Sequence, residues 1–447
     1  MTRLKSVLQE AGIVGAGGAG FPSYAKLAEG ADTLIVNGAE CEPLLRTDYE
    51  IIRQHLSEVV RGAEELAAAL GIRRVIFAVK EHISGSLGLT SGEVLGELTR
   101  VHLLRDVYPM GDEITLIYET TGRLVPPSSL PISVGVLVFN VETLYNFYRA
   151  SALGEPVTEK WLTVAGDIGE GSASVVKVPL GVRVSELFEA LGISVPETHR
   201  LVVGGPSMGR VANPNTEVIT KTTKGLLVLP ADIPAVATKI ADIHVQKRRA
   251  SSACCQCTRC TDLCPRQLLG YPLEPHRMVR AATSVEELDP VLYTSATLCC
   301  GCGICEMAAC CQDISPRAVI AEMKVQLAKQ RLRYTPQDGE EYRPDPTRAY
   351  RQMPIERWKQ LIGVLPFDRP AAYREISLSP RTVEILMSQH IGAPSVPAVQ
   401  TGDTVSRGAC IATAREGALS VPQFASLPGR VSFVDSTKIV IECERKS

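Results

Sequence analysis

Eleven of the fourteen cysteines lie in one stretch of the chain, between residues 254 and 311. They form two runs. The first has the spacing Cys-x2-Cys-x2-Cys-x3-Cys-Pro, and the second differs from it by one inserted residue before its last cysteine. Three thiolates at this spacing can bind one iron–sulfur cube, and the run is typical of [4Fe–4S] sites. The two runs therefore predict two [4Fe–4S] clusters and a role in electron transfer.

The ligands of each cluster can be assigned because, in proteins with two such runs, the fourth cysteine of one run binds the other cluster. One predicted set is Cys254, Cys257, Cys260 and Cys310, and the other is Cys264, Cys299, Cys302 and Cys305. Zinc is the alternative metal, but tetrahedral zinc needs only paired Cys-x2-Cys units, whereas this chain has triplets. Three further cysteines adjoin assigned ligands and could replace one, but we expect them to be small apolar fillers: Cys255, Cys300 and Cys311.

A second candidate site is the glycine-rich segment from Gly15 to Pro22. Glycines let main-chain N–H groups approach a ligand closely, so such a loop suits a phosphate or a flat ring system. The segment does not follow a predicted strand, so it fails the ordinary dinucleotide-binding pattern. A glycine turn that serves packing alone is the other interpretation.

Composition excludes several classes of function. The chain has 447 residues, 45% of them hydrophobic, and a formal charge of −2, which argues against binding nucleic acid or a membrane surface. The cysteines outside the two runs are isolated, so a disulfide framework is not expected: Cys41, Cys410 and Cys443. The chain begins without an apolar signal segment and has no run of about 18 apolar residues. We expect a cytoplasmic protein without a transmembrane segment, and the oligomeric state stays open.

The elements that must position these residues change in type along the chain. In the first 150 residues, predicted strands at 33–36, 74–79 and 134–139 alternate with helical segments, of which 48–70 is the longest and ends at Gly71. This alternation predicts an α/β fold. Short strands and one helix follow up to about residue 211, and the last 70 residues or so return to short strands broken by glycine and proline.

Four motifs occur in the same order as in the flavin- and NADH-binding subunit of respiratory complex I and in the C subunit of Rnf electron-transport complexes. They are Gly17-Gly-Ala-Gly-Phe-Pro22 with Lys26, Asn37-Gly-Ala-Glu-Cys-Glu-Pro43, Tyr108-Pro-Met-Gly-Asp-Glu113 and Asn140-Val-Glu-Thr-Leu144. The order of the segments resembles most closely the family of cobalamin reductases from propanediol-utilisation microcompartments. This resemblance extends over nearly the whole chain.

The resemblance implies a multidomain α/β protein with six segments. These are a Rossmann-like FMN/NADH domain (1–155), an SLBB-type β-grasp module (156–215), a connector (216–245), a helical ferredoxin-like domain with two clusters (246–333), a linker (334–374) and an all-β barrel-sandwich hybrid module (375–447).

The resemblance also implies roles for particular residues. Gly17, Gly18 and Gly20 would hold FMN, with Lys26 near the flavin or its phosphate. Three residues would line the face shared by flavin and nicotinamide: Asn37, Glu40 and Glu42. Three others would close the ribityl and phosphate side: Asn140, Glu142 and Thr143. Glu113 matches an acidic position near the nicotinamide, and we expect Cys41 to be structural.

The implied activity is NADH-dependent reduction of cob(III)alamin or cob(II)alamin in a diol-utilising microcompartment. FMN would receive hydride and the clusters would carry single electrons, so no catalytic acid–base or nucleophilic side chain is expected. The alternative is an electron-transfer protein of the Rnf type that passes electrons between NADH and a ferredoxin or another protein. The expected partners are thus a corrinoid or a protein acceptor, with a shell protein or an adenosyltransferase as further candidates, and the expected location is the microcompartment lumen.

Overall fold

The computed structural model describes residues 2–283, 290–337 and 339–443. Its first unit contains a parallel sheet of four strands, in the spatial order Thr99–Leu104, Arg74–Lys80, Thr33–Gly38 and Val136–Asn140. Five helices accompany it: Thr2–Glu10, Thr47–Leu70, Glu81–Leu87, Glu113–Thr121 and Val141–Leu153. The predicted α/β alternation is confirmed in this part of the chain.

The longest helix, Thr47–Leu70, agrees with the predicted 48–70. It ends because Gly71 adopts a left-handed conformation, with φ of 69°, and its N–H bonds back to the last turn. Its buried face, which includes Ile51 and Val59, packs in the same apolar core as Leu144 of the helix Val141–Leu153. These two helices therefore pack together on one face of the sheet, against Leu34, Val36 and Phe77.

The second unit is a mixed sheet of five strands with one helix, Val184–Leu191. The strands, in spatial order, are Ser174–Pro179, Glu159–Gly166, Gly225–Pro230, His199–Val203 and Arg210–Ala212. The middle strand, Gly225–Pro230, runs parallel to one neighbour and antiparallel to the other. It lies in the expected connector 216–245, so the sheet extends beyond the predicted limit at residue 215.

Short helices surround the cysteine runs. They are Pro234–Ile240, Ile243–Ala253, Arg259–Asp262, Pro265–Leu268, Pro275–Ala281, Pro290–Thr294 and Pro316–Lys329, with a 3-10 turn at Ser295–Leu298 and a π-helical turn at Cys305–Ala309. Many begin with proline at the first helical position, where its missing N–H costs nothing.

The segment 334–374, expected to be a linker, is packed against the other units. It contains Arg348–Arg351, Met353–Pro354, Ile355–Leu361 and the 3-10 turn Leu365–Phe367. The strand Met353–Pro354 pairs with Val107–Tyr108 of the first unit. Trp358 is completely buried, because its ring stacks on Tyr108 at 4.7 Å and its N–H donates to Ser207 Oγ at 3.0 Å.

The C-terminal part is all-β, as predicted. One sheet contains Thr382–Leu386, Lys438–Cys443, Gly429–Val434 and Thr404–Val405, and the other contains Val396–Pro397, Cys410–Thr413 and Gln423–Phe424. Its apolar residues form one continuous core with those of the five-stranded sheet. Within the three described ranges, none of the helices combines the length and the apolar character needed to cross a bilayer.

Candidate cofactor cleft and cysteine centres

A cleft of about 510 Å³ lies between the first two units. Two strand ends form one side, because the parallel register places Asn37 opposite Asn140. Of the expected cofactor residues, six line this cleft: Gly17, Gly18, Asn37, Glu40, Glu42 and Asn140. The carboxyl edge of a parallel sheet is where ligands usually bind in α/β proteins.

The glycine loop forms an open wall of the cleft. Gly18 has φ of 115°, and no atom lies within 4 Å of where a Cβ would be. The loop is fixed to the helix Val141–Leu153, since Ala16 N–H donates to Thr143 Oγ1 at 3.0 Å. Gly20 contacts the second unit instead, because a Cβ there would lie 2.7 Å from Thr222 Cγ2. The loop thus leaves room for a ligand at Gly18 and none at Gly20.

Charged groups meet at one end of the cleft. Lys224 pairs with Asp48, and Asn140 Nδ2 donates to Asp48 Oδ2 at 2.9 Å. Glu40 accepts from the N–H groups of Asp48 and Tyr49, at 3.0 and 3.2 Å, in the first turn of the helix Thr47–Leu70. A carboxylate there is stabilised by the helix dipole.

Burial and neighbouring charges together set the protonation of Glu40 and Lys224. Burial, followed by the charge of Asp48, raises the pKa of Glu40. Burial opposes the charge of Lys224, but Asp48 and Glu40 outweigh it, so the pKa of Lys224 is raised and the amine stays protonated. The cleft therefore keeps a fixed cation between two carboxyl groups.

One acceptor in this network is unused. Asp48 Oδ1 is buried and, among the described residues, has no hydrogen-bond partner. A buried polar atom without a partner is costly, so a ligand donor is the natural partner for it. An open glycine wall, two amide side chains and an unused carboxylate oxygen fit a flat ring with polar edges, such as the flavin of FMN.

Glu42 joins the two units across the cleft. Its carboxylate accepts from the N–H groups of Ser207 and Met208, at 2.9 and 3.0 Å, and burial raises its pKa. Asn37 is fixed as well, since its amide donates to Gly111 O at 3.1 Å. These side chains are therefore held in place before any ligand binds.

The other expected residues lie outside the cleft lining. Lys26 pairs with Glu113 at 2.9 Å and donates to Val138 O at 3.2 Å. Glu142 forms a buried ion pair with Lys160. The structure thus pairs Lys26 with Glu113 and Glu142 with Lys160, and it places Thr143 against the glycine loop.

Sequence reasoning missed the contribution of the second unit. The residues concerned are Val203, Gly204, Gly205, Met208, Gly209, Arg210, Thr220, Thr222, Thr223 and Lys224, together with Asp48 of the first unit. One signal was available: the glycines at 204, 205 and 209 follow directly after a strand, as a second glycine-rich turn.

The first cysteine set lines one cavity that opens to the surface, and its members are Cys254, Cys257, Cys260 and Cys310. Burial raises the pKa of Cys260 to about 12, and the nearby thiolates of Cys310, Cys257 and Cys254 add to this effect. Four mutually repelling thiolates need a positive partner, so the donor set fits an iron–sulfur cluster.

The second set lies deeper. Cys264, Cys302 and Cys305 are buried, and Cys299 is half-buried. Burial raises the pKa of Cys264 to about 12, and Cys299 is among the neighbours that raise it further. Burial likewise raises the pKa of Cys305, with Cys299 and Cys264 among its charged neighbours. The structure thus brings together the members of each predicted set, including the crossed fourth cysteine.

Two of the neighbouring cysteines are not buried fillers, contrary to our expectation. Cys255 and Cys311 are exposed, and their sulfurs lie within 4.8 Å of one another and of Cys257. Cys300 is half-buried beside Cys302.

The second set adjoins the cleft. Cys302 packs in the same apolar core as Leu45 and Tyr108, and Tyr108 Oη donates to Cys302 O at 2.8 Å. Cys41 borders both this core and the cleft, and burial raises its pKa to about 11. The order in space is therefore cleft, second set, first set, surface.

Comparisons with known proteins agree with these sites. The Nuo51 FMN-binding domain family matches residues 8–149, the 4Fe-4S dicluster domain family matches 253–315, and the RnfC barrel sandwich hybrid domain family matches 372–446. The predictions of FMN and two [4Fe–4S] clusters are thereby confirmed. The chain is a flavin- and iron–sulfur-dependent oxidoreductase.

Relatives match over different shares of the chain. Cobalamin reductase PduS of Salmonella typhimurium is 37% identical over 98% of this chain and 96% of its own length, and PduS of Citrobacter freundii is 36% identical over the same shares. The C subunit of the ion-translocating oxidoreductase complex of Rhodobacter capsulatus is 35% identical over 59% of this chain and 49% of its own length. The chain belongs to the PduS family of cobalamin reductases.

Proposed function

We propose that this chain oxidises NADH and reduces a corrinoid, taking cob(III)alamin to cob(II)alamin, one electron at a time. The observation that carries the proposal is the similarity over 98% of the chain to two cobalamin reductases. One NADH would reduce two cob(III)alamin molecules and release NAD⁺ and one proton. When bound, FMN accepts the two electrons of hydride and the clusters transfer single electrons.

The residues that line the cleft would each bind a different part of the cofactors. Gly17 and Gly18 leave space for the ring, while Asn37, Asn140 and the unused oxygen of Asp48 bind its polar edge. Glu40 and Glu42 would face flavin and nicotinamide. Arg210 and the hydroxyl groups of Thr220 and Thr222 offer charge and donors for a phosphate, since all three line the cleft.

The expected residues outside the cleft would then support it. Thr143 would hold the glycine loop in place, and Glu142 would hold the edge of the sheet next to the ribityl chain. Gly20 would allow the loop to contact the second unit closely. The ion pair of Lys26 and Glu113 would place one positive and one negative charge near the flavin and the nicotinamide. The eight assigned cysteines would bind the clusters in the crossed pairing.

We also propose a fold for the first two units, a location in the cell and a partner protein. The first unit would be Rossmann-like and the five-stranded sheet an SLBB-type β-grasp module. A microcompartment lumen would be the location, and a shell protein or an adenosyltransferase would be a partner. The relatives named PduS support this setting.

A second function is favoured by the similarity to the C subunit of the ion-translocating oxidoreductase complex. In that case the chain would pass electrons between NADH and a ferredoxin or another protein acceptor. The deciding experiment is an anaerobic assay with saturating NADH and either aquacobalamin or a ferredoxin. We expect two cob(II)alamin per NADH. Reduction of ferredoxin with none of aquacobalamin would favour the second function.

A further inference from the structure

The face of the molecule over the first cysteine set is open to solvent. Cys255, Cys257 and Cys311 are exposed, and they line the cavity that also contains Cys254 and Cys310. The second set, by contrast, is enclosed between this region and the cleft. Of the two centres, only the first is therefore close enough to the surface for a large partner to approach.

Three exposed arginines lie close to residues that line this opening. Arg259 lies between Cys257 and Cys260, and its main-chain N–H bonds to the Cys257 thiol. Arg249 donates to Asp313 O at 3.1 Å, between the lining residues Gln312 and Ile314. Arg280 follows Val279, which lines the cavity.

These cations are not neutralised within the described residues. None of the three guanidinium groups of Arg249, Arg259 and Arg280 forms an ion pair with a carboxylate in residues 2–283, 290–337 and 339–443, although the Asp313 side chain is exposed nearby. The described cavity lining itself contains no carboxylate.

We infer that this arginine rim (Arg249, Arg259 and Arg280) docks a protein with an acidic face that carries a one-electron acceptor. Complementary charge steers association and fixes orientation, whereas a small neutral acceptor would gain nothing from such a rim. The inference rests on the proposed NADH oxidation. Each NADH would supply two electrons, so two partner molecules would each take up one and NAD⁺ and one proton would be released.

The test uses two haem proteins of opposite charge, acidic cytochrome b5 and basic cytochrome c, with the anaerobically prepared holoprotein. Binding is measured by calorimetry at low salt and at about 150 mM salt, where charges are screened beyond about 8 Å. We expect preferential binding of cytochrome b5 that weakens with salt. The variant Arg249→Glu/Arg259→Glu/Arg280→Glu should weaken that binding at least about tenfold and remove the preference.

A matched control carries the same change of charge elsewhere: Arg100→Glu/Arg415→Glu/Arg430→Glu, all at exposed positions. It should bind cytochrome b5 within about twofold of the wild type, as expected for charges outside the contact. If Arg259→Glu lowers the iron content, Arg249→Glu/Arg280→Glu replaces the triple variant.

Three results would overturn the inference: no binding of cytochrome b5 by the wild type, binding without salt dependence, or equal loss in the control. Binding does not depend on turnover, so failure to reduce aquacobalamin would refute the proposed function and leave this result intact.

Discussion

Gly18 is the residue at which backbone conformation and ligand space coincide. Its φ of 115° is a conformation that side chains rarely adopt, and the space at its Cβ position belongs to the cleft. Gly30 has a similar conformation, with φ of 90° and nothing within 4 Å of its Cβ position, but it does not line the cleft. A substitution at either glycine would strain the backbone, but only a substitution at Gly18 would also fill the cleft.

We expect Gly18→Val to lose FMN, because the valine side chain would occupy the cleft. Both Gly18→Val and the control Gly30→Val should lose about 1–2 kcal/mol of stability through backbone strain. Visible flavin absorbance after gel filtration is the measurement. Normal flavin content in Gly18→Val would show that FMN binds elsewhere.

Lys221 is a buried amine at the junction of three units. It donates to Gly12 O at 2.8 Å and to Pro422 O at 3.1 Å, and burial lowers its pKa to about 7. His390 and Cys410 are its titratable neighbours. In the unfolded chain a lysine has a pKa of about 10.4, so the folded state binds fewer protons between about pH 7 and 10.4.

The stability of the wild type relative to Lys221→Met should therefore rise as pH increases from about 7 to 9. The difference in thermal midpoint between the two proteins, measured at several pH values, gives the trend. Lys329→Met, at an exposed position, should show no such trend. A constant difference for Lys221→Met would mean that the amine is charged in the folded protein throughout this range.

At the scale of elements, the segment 334–374 fixes the second cysteine set relative to the cleft. Trp358 stacks on Tyr108, and Tyr108 in turn donates to the carbonyl of Cys302. The short strand Met353–Pro354 adds main-chain bonds to the first unit. A segment expected to be a linker therefore holds the two sites together through one buried aromatic pair.

Trp358→Ala should lower the free energy of unfolding by about 3–5 kcal/mol, the range for deleting a buried aromatic side chain. Chemical denaturation followed by circular dichroism is the measurement. Tyr350→Ala in the same segment, where the side chain is 90% exposed, should change stability little. Equal losses for both variants would contradict the structural role of Trp358.

At the scale of the whole molecule, the cysteine region is built onto the first unit. Leu269, Tyr271 and Leu298 share an apolar core with Leu104 and Met110. The C-terminal part shares its core with the five-stranded sheet. The cofactor sites are thus held at fixed separations by continuous cores.

The intact protein should contain about eight iron and about eight acid-labile sulfide per chain, as two four-iron clusters require. Cys260→Ala should keep about four of each, because the loss of one of four thiolates opens one cluster only. Cys443→Ala, which alters a cysteine outside both sets, is the control and should keep about eight. Stoichiometric zinc with little sulfide in the wild type would contradict the assignment.

The sequence by itself determined the features that depend on local spacing. Three cysteines separated by two residues each can bind one cluster whatever the rest of the chain does, so the two triplets were readable directly. The helix ending at Gly71 and the strand predicted at 74–79, observed as Arg74–Lys80, follow from periodicity and from one glycine in a left-handed conformation.

Only the tertiary structure decided what depends on contacts between distant segments. The pairing of Asp48 with Lys224 joins residues 176 positions apart, and no local pattern predicts it. The same holds for the exposure of Cys255 and Cys311, the burial of Trp358 and the nearness of Cys302 to the cleft. These features arise because side chains from separate units are brought together by shared apolar cores and by the parallel register of the first sheet.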